Sequence, residues 1–185
     1  MICWDRVGDH LVIGVFTEAE IDRLREYLWG LRDLLDERFA EYTTDCLPGH
    51  QLGLPFPTSE TTDRRLRAIL RRRSVDGSQW QEPEVFRPLH KAIGRVLATL
   101  PDSGGLVELH SIDCALAWDR SLTDLWVAMA ASVRGGDPVV ESRVRFTTRW
   151  LRTIVRTLDE AATKAIEPVP QELADSISQV RTFWI

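Results

Sequence analysis

The thiol of Cys114 occupies the position in this sequence where a side chain is best placed for chemistry of its own. It follows Ser111, a typical N-cap residue, by three positions, so it would lie in the first turn of a helix. The positive end of a helix dipole stabilises a thiolate and favours oxidation, although the neighbouring Asp113 opposes this effect. The alternative is a small, buried and inert side chain, as free cysteines usually are. Cys3 and Cys46 could pair with this thiol only if the fold brings the Cα atoms within about 7 Å.

The stretch RVRFTTRWLRTIVR, from Arg143 to Arg156, contains five arginines and no acidic residue. Successive residues of a helix are about 100° apart, so arginines spaced four, three and four residues apart share one face. Phe146 and Trp150 flank that face. We name the four arginines of the face the arginine stripe: Arg145, Arg149, Arg152 and Arg156. A second, apolar face of the same helix is predicted to face the core: Val140, Val144, Leu151, Val155 and Leu158.

Three interpretations of the arginine stripe are open at this stage. It could be a solvated face whose charges pair with acids such as those of the first helix. It could bind an acidic protein, with Trp150 as an aromatic anchor beside the arginines. Direct nucleic-acid binding is the least favoured, because the net charge of the chain is -5 and repels a polyanion. A second cluster, Arg71 to Arg73, would end a helix, where cations suit the dipole, or would form a patch for a partner or phosphate.

No catalytic residue, metal site or cofactor is predicted from the sequence. The four histidines, His10, His50, His90 and His110, are scattered and lack the spacing of metal ligands. Neither a glycine-rich phosphate loop nor a nucleophile elbow is present in the sequence. We therefore expect a protein that is not an enzyme, with an enzyme of unrecognised type as an alternative.

The elements that would position these residues are mostly helices. Two apolar stretches around Gly8 and Asp9 predict a β-hairpin, and Thr17 with Glu20 forms a capping box. A helix over 17–40 follows, with an apolar seam spaced three and four residues apart: Ile21, Leu24, Leu28, Leu31 and Leu35. Further helices are predicted over about 61–74, 83–100, 111–134 and 138–166, with a kink or a late start at Pro88 and one short strand near 106–110.

These elements predict a mainly α (α+β) fold, a bundle of long amphipathic helices with a small N-terminal hairpin and one further strand. Residues 1–166 would form a single domain, and 167–185 a C-terminal extension. Of the 185 residues, 44% are hydrophobic and 28% charged, which is ordinary for a globular protein. No apolar run approaches the roughly 20 residues of a membrane span, and the N-terminus lacks the features of a signal peptide. We therefore expect a cytoplasmic protein, and its three widely spaced cysteines do not form the disulfide framework of a secreted protein.

One central stretch resembles a known family. The residues that carry the resemblance are LPDSGG followed by VEL, then Ala117-Trp118, then LTDLWVAM. Trp4-x-Arg6, the first helix and WLRTIVRTL fit the same layout, so the likeness covers about residues 2 to 160. The chain thus resembles the actinobacterial AosR-like family, long catalogued as a domain of unknown function, which includes an oxidative-stress regulator.

The resemblance implies a small, cytoplasmic, mostly helical protein without catalytic activity. In its characterised branch it implies a redox-responsive regulator that acts with a sigma factor of RNA polymerase. Cys114 and Cys3 are then the redox candidates, and the arginine stripe with Trp150 is the candidate surface for an acidic protein partner. A structural or dimerising scaffold, for instance a homodimer, is the alternative from another class.

Overall fold

Five helices and three strands make up the computed structural model, which describes residues 3–7, 11–44, 60–73, 82–133 and 138–163. The predicted mainly α fold with a small sheet is confirmed. The turn at Gly8–Asp9, Cys46 and the extension 167–185 lie outside the described residues. In chain order the elements are β1 Cys3–Val7, β2 Leu11–Phe16, α1 Glu18–Thr44, α2 Glu60–Arg73, α3 Glu82–Thr99, β3 Gly105–Leu109, α4 Ile112–Ser132 and α5 Pro138–Thr163.

The three strands form an antiparallel sheet in the order β1-β2-β3. Trp4 of β1 pairs with Gly14 of β2, and a Cβ at Gly14 would come within 2.6 Å of the Trp4 ring. Only glycine therefore leaves room for the indole to lie across the sheet. The Trp4 ring meets Phe16 and Trp118 edge to face at centroid distances of 5.4 and 5.2 Å, so the sheet and α4 share one aromatic core.

The turn LPDSGG brings β3 against the start of α1. A Cβ at Gly104 would lie 2.2 Å from the backbone nitrogen of Glu18, and Gly105 has a φ of 150°, which side chains rarely tolerate. The predicted capping box of Thr17 and Glu20 forms at this start of α1. The backbone nitrogen of Thr17 donates to Glu20 Oε2 at 2.9 Å, and Glu20 N donates to Thr17 Oγ1 at 3.4 Å.

Helix α4 is the centre of the fold, because α2, α3, α5 and β3 all pack against it. Trp118 is fully buried there, and its indole nitrogen donates to Thr99 Oγ1 at 2.9 Å. The predicted apolar seam of α1 is buried along its whole length. Helix α3 begins at Glu82 and runs through Pro88, so the late start considered at that proline is wrong. None of the described helices is long and apolar enough to cross a membrane.

The core side of α5 differs from the predicted one. Leu151 and Leu158 are buried, but Val140 is 51% exposed, and Val144 and Val155 are only half-buried. The contact of Arg152 with Trp126 sets α5 alongside α4 in such a way that Val140 lies beyond Ser132, the last residue of α4. The buried positions of α5 are Thr147, Leu151, Ile154, Leu158 and Ala161.

Candidate functional site

All four arginines of the arginine stripe are exposed on the outer side of α5. Their ion pairs stay within the helix, where Arg145 pairs with Glu141 and Arg156 with Glu160. The guanidinium of Arg152 lies 4.1 Å from the centroid of the half-buried Trp126 ring, a cation–π contact. Among the described residues, no arginine of the stripe pairs with α1, and Arg149 makes no ion pair.

Apolar side chains accompany the arginine stripe. Phe146 is 65% exposed, and Val139 and Val140 in the first turn of α5 are also more than half exposed. Trp150 is half-buried, with the guanidinium of Arg23 5.7 Å from its ring centroid. The face thus combines exposed guanidinium groups with apolar surface, the composition that protein-binding surfaces share.

Arg71, Arg72 and Arg73 lie in the last turn of α2, as the helix-end interpretation predicted, and two of them bind a carboxylate inside the fold. Arg72 Nη1 and Arg73 Nη2 donate to the two carboxylate oxygens of Asp124, at 3.0 and 2.8 Å. Asp124 is completely buried in α4, whereas Arg71 remains exposed. The sequence carried one signal for this contact, an acidic residue within the otherwise apolar stretch LTDLWVAM. A charge in such a place needs a partner from elsewhere in the fold.

Other buried charges connect the helices in the same way. Burial lowers the pKa of the Arg120 guanidinium; nearby Arg73 lowers it further, and Asp124 partly offsets this. Arg38 of α1 is only 4% exposed and forms a forked pair with Glu82 of α3, at 2.8 and 3.0 Å. These contacts hold α1, α2, α3 and α4 together, and we assign them a structural role.

The thiol of Cys114 is half-buried in the first turn of α4, where Ser111 is the N-cap as predicted. Cys114 N donates to Ser111 Oγ at 3.2 Å, and the same hydroxyl lies 3.3 Å from the sulfur. Cys114 is a free thiol. Cys3 begins β1, with its backbone opposite Val15, but its side chain is outside the description.

The histidines do not gather in the part of the chain that the structure describes. His90 Nε2 lies 3.0 Å from Asp36, and His110 Nε2 lies 3.3 Å from Glu108. Within the described ranges, no group of three or more histidine, cysteine or acidic side chains could hold a metal ion. His10 and His50 are outside those ranges.

The comparison with known proteins places this fold in a family. A family model described as Domain of unknown function (DUF2017) matches residues 1–143. The chain belongs to the DUF2017 family. No curated protein and no solved structure matches the chain. The DUF2017 match runs from β1 into the beginning of α5, so it includes the LPDSGG turn, Asp124 and Trp126, while most of α5 follows it.

Proposed function

We propose that this DUF2017 protein is a non-enzymatic interaction module that binds an acidic protein through the outer face of α5. The observation that carries the proposal is the composition of that face. Four exposed arginines lie beside a Phe146 ring that is 65% exposed, and Arg149 has no acidic partner among the described residues. An apolar ring beside guanidinium groups gives a partner both buried area and charge complementarity.

An acidic protein fits this face better than nucleic acid does. The net charge of the chain is -5, so phosphate backbones are repelled by the molecule as a whole. A local positive face still steers an acidic protein, because the interaction falls off within a Debye length of about 8 Å at physiological salt.

The resemblance to the AosR-like family makes the proposal more specific. It suggests an actinobacterial, cytoplasmic regulator that responds to oxidative stress and has a sigma factor as its acidic partner. Cys114 is the first redox candidate and Cys3 the second. Cys114 is a free and only half-buried thiol in the first turn of α4, so an oxidant in solution can reach its sulfur.

The test is a pair of double variants with equal change in net charge. Arg149→Glu with Arg152→Glu should abolish partner capture from the native cell, detected by mass spectrometry, while the melting temperature stays nearly unchanged. The matched control is Arg87→Glu with Arg95→Glu, at two exposed arginines of α3, which should capture the partner normally. Capture that changes between oxidant and reductant only when Cys114 is present would support the redox-responsive form of the proposal.

Three results would contradict the proposal. If the α5 double variant unfolds, the arginine stripe has a structural role. If both double variants lose the partner equally, only the overall charge matters. Binding of duplex DNA to the wild type with a steep salt dependence would favour the nucleic-acid interpretation instead.

A homodimer is the second candidate, favoured by the apolar end of α5. Val139, Val140 and Phe146 are each more than half exposed within two turns of one helix. Self-association through this end should appear as a concentration-dependent mass in sedimentation, and Phe146→Glu should abolish it. A mass that stays monomeric at all concentrations would exclude the dimer.

A further inference from the structure

The two arginine-rich helices of the chain, α2 and α5, lie on either side of α4 in matching register. Helix α2 runs antiparallel to α4, since Arg65 Nε donates to Ser132 Oγ at 2.6 Å and Arg73 reaches Asp124 at 2.8 Å. Residues later in α2 therefore lie beside residues earlier in α4. This register places Arg71 level with Trp126 of α4.

Helix α5 is also antiparallel to α4, with the guanidinium of Arg152 over the Trp126 ring. Farther along, Asp119 of α4 is close enough to Asp159 of α5 to raise the pKa of its carboxyl, in addition to the larger effect of burial. Because all helices rise about 1.5 Å per residue, the two registers stay in step over several turns. One arginine of α2 and one of α5 then lie beside each of three successive positions along the axis of α4. The pairs are Arg71 and Arg152 at Trp126, Arg67 and Arg149 near Ala130, and Arg64 and Arg145 at Val133.

The α2 side of this arrangement is an open cavity of about 380 Å³. Arg64, Arg67 and Arg71 line it together with Ala130 and Val133 of α4. Ala130 is exposed and lies one helical turn after Trp126, on which Arg152 stacks. The strip of α4 from Trp126 to Val133 is therefore a floor of mainly small apolar side chains between two rows of arginines.

We propose that this basic groove, with α2 and α5 as its walls and Trp126, Ala130 and Val133 as its floor, binds one acidic amphipathic helix of the partner. The inference rests on the proposed function and extends its surface from one helix to three. A helix suits the groove because the floor follows α4 for about two turns, and an apolar stripe can lie on the floor with carboxylates on both sides. If the partner bound only α5, its helix would need carboxylates on only one flank.

The charges of the groove match such a ligand. Arg64, Arg67 and Arg145 each have an acid one turn earlier on their own helix, namely Glu60, Asp63 and Glu141. Arg71, Arg149 and Arg152 pair with no acid in the part of the chain that the structure describes. The arginines without an acidic partner thus occur on both walls, and Arg71 and Arg152 both lie level with Trp126. A ligand helix with carboxylates on both flanks would neutralise them together.

The experiment measures peptide binding to the full-length chain by fluorescence anisotropy. The probe is a fluorescein-labelled helical peptide of about 20 residues, or about five turns, made of Glu, Ala and Leu with the leucines on one face. Arg71→Glu on α2 and Arg149→Glu on α5 should each weaken binding about five- to tenfold, because each reverses a charge at the rim of the site. The matched control Arg95→Glu, an exposed arginine of α3, should change it less than about twofold.

The outcomes separate this inference from the proposed function. If Arg149→Glu weakens binding but Arg71→Glu behaves as the α3 control does, the groove is wrong and the α5 face stands. Equal binding of a peptide with the same composition but scattered leucines would overturn the amphipathic helix. No binding by the wild type at about 1 mM peptide would overturn the groove as well. If a short DNA duplex binds more tightly and with the same dependence on Arg71 and Arg149, nucleic acid is the ligand.

Discussion

Removing the two arginines that neutralise Asp124 should be among the most destabilising changes in this protein. The Asp124 carboxylate is fully buried, and each of its oxygens accepts one guanidinium hydrogen bond, at 3.0 Å from Arg72 and 2.8 Å from Arg73. In the double variant Arg72→Met with Arg73→Met the carboxylate keeps only the nearby Arg120. Leaving a buried charge without its partners costs about 3–5 kcal/mol, and we expect a loss in this range at pH 7.

Replacing Asp124 should cost less stability than replacing both arginines, because the arginine side chains are partly exposed whereas Asp124 is buried. The side chains of Arg72 and Arg73 are 37% and 29% exposed, so after Asp124→Asn their guanidinium groups can still reach water. We expect that variant to lose about 1–3 kcal/mol, the usual range for a hydrogen-bonded group left partly unsatisfied. Arg71→Met is the matched control at the same helix end, and it should change stability by less than about 0.5 kcal/mol.

Urea unfolding at pH 7 measures these losses. The reasoning is refuted if the double variant loses no more stability than Arg71→Met, or if Asp124→Asn costs more stability than the double variant does.

Three further predictions concern packing and charge. Leu125→Ala should destabilise the fold by about 2–5 kcal/mol in a denaturant melt, and a loss under about 1 kcal/mol would contradict its burial in the core. Gly104→Ala should cost about 2–3 kcal/mol of stability, because its Cβ would clash with the backbone of α1. Gly94→Ala, whose Cβ would have nothing within 4 Å, should stabilise α3 by about 0.5–1 kcal/mol. In denaturant melts the two variants should therefore change the free energy of unfolding in opposite directions. Burial, and to a smaller extent Asp119, raises the pKa of Asp159, so its carboxylate destabilises the fold at neutral pH. Asp159→Asn should therefore raise the free energy of unfolding at pH 7, by under about 0.5 kcal/mol after solvent screening, and this gain should disappear as the pH falls towards about 4.

Local signals predicted the helices and their ends well. The three- and four-residue spacing from Ile21 to Leu35 identified the buried side of α1, because periodicity alone determines which residues share a helical face. Thr17, Glu20 and Ser111 marked the two helix starts through capping, which involves only residues within one turn. The arginine stripe was placed on one exposed face of α5 for the same reason.

Contacts between elements could not be predicted in this way. The bond of Arg72 and Arg73 to Asp124 depends on how α2 packs on α4, which no spacing within either helix encodes. The exposure of Val140 depends on where α4 ends beside α5. The contact of Arg152 with Trp126, and with it the alignment of the two arginine rows, likewise required the packing of separate helices.

The aromatic core of Trp4, Phe16 and Trp118 has a consequence for synthesis on the ribosome. Two of its rings are made at the start of the chain, but the third belongs to α4, and β2 also waits for Leu109 of β3 to complete its pairing. Contacts between such distant positions form slowly, because a long loop must close first. A nascent chain that ends before α4 therefore carries the Trp4 and Phe16 rings without the Trp118 ring that packs against them. Translation must pass α4 before the aromatic rings of the N-terminal strands are covered, so the growing chain presents them to chaperones during that interval.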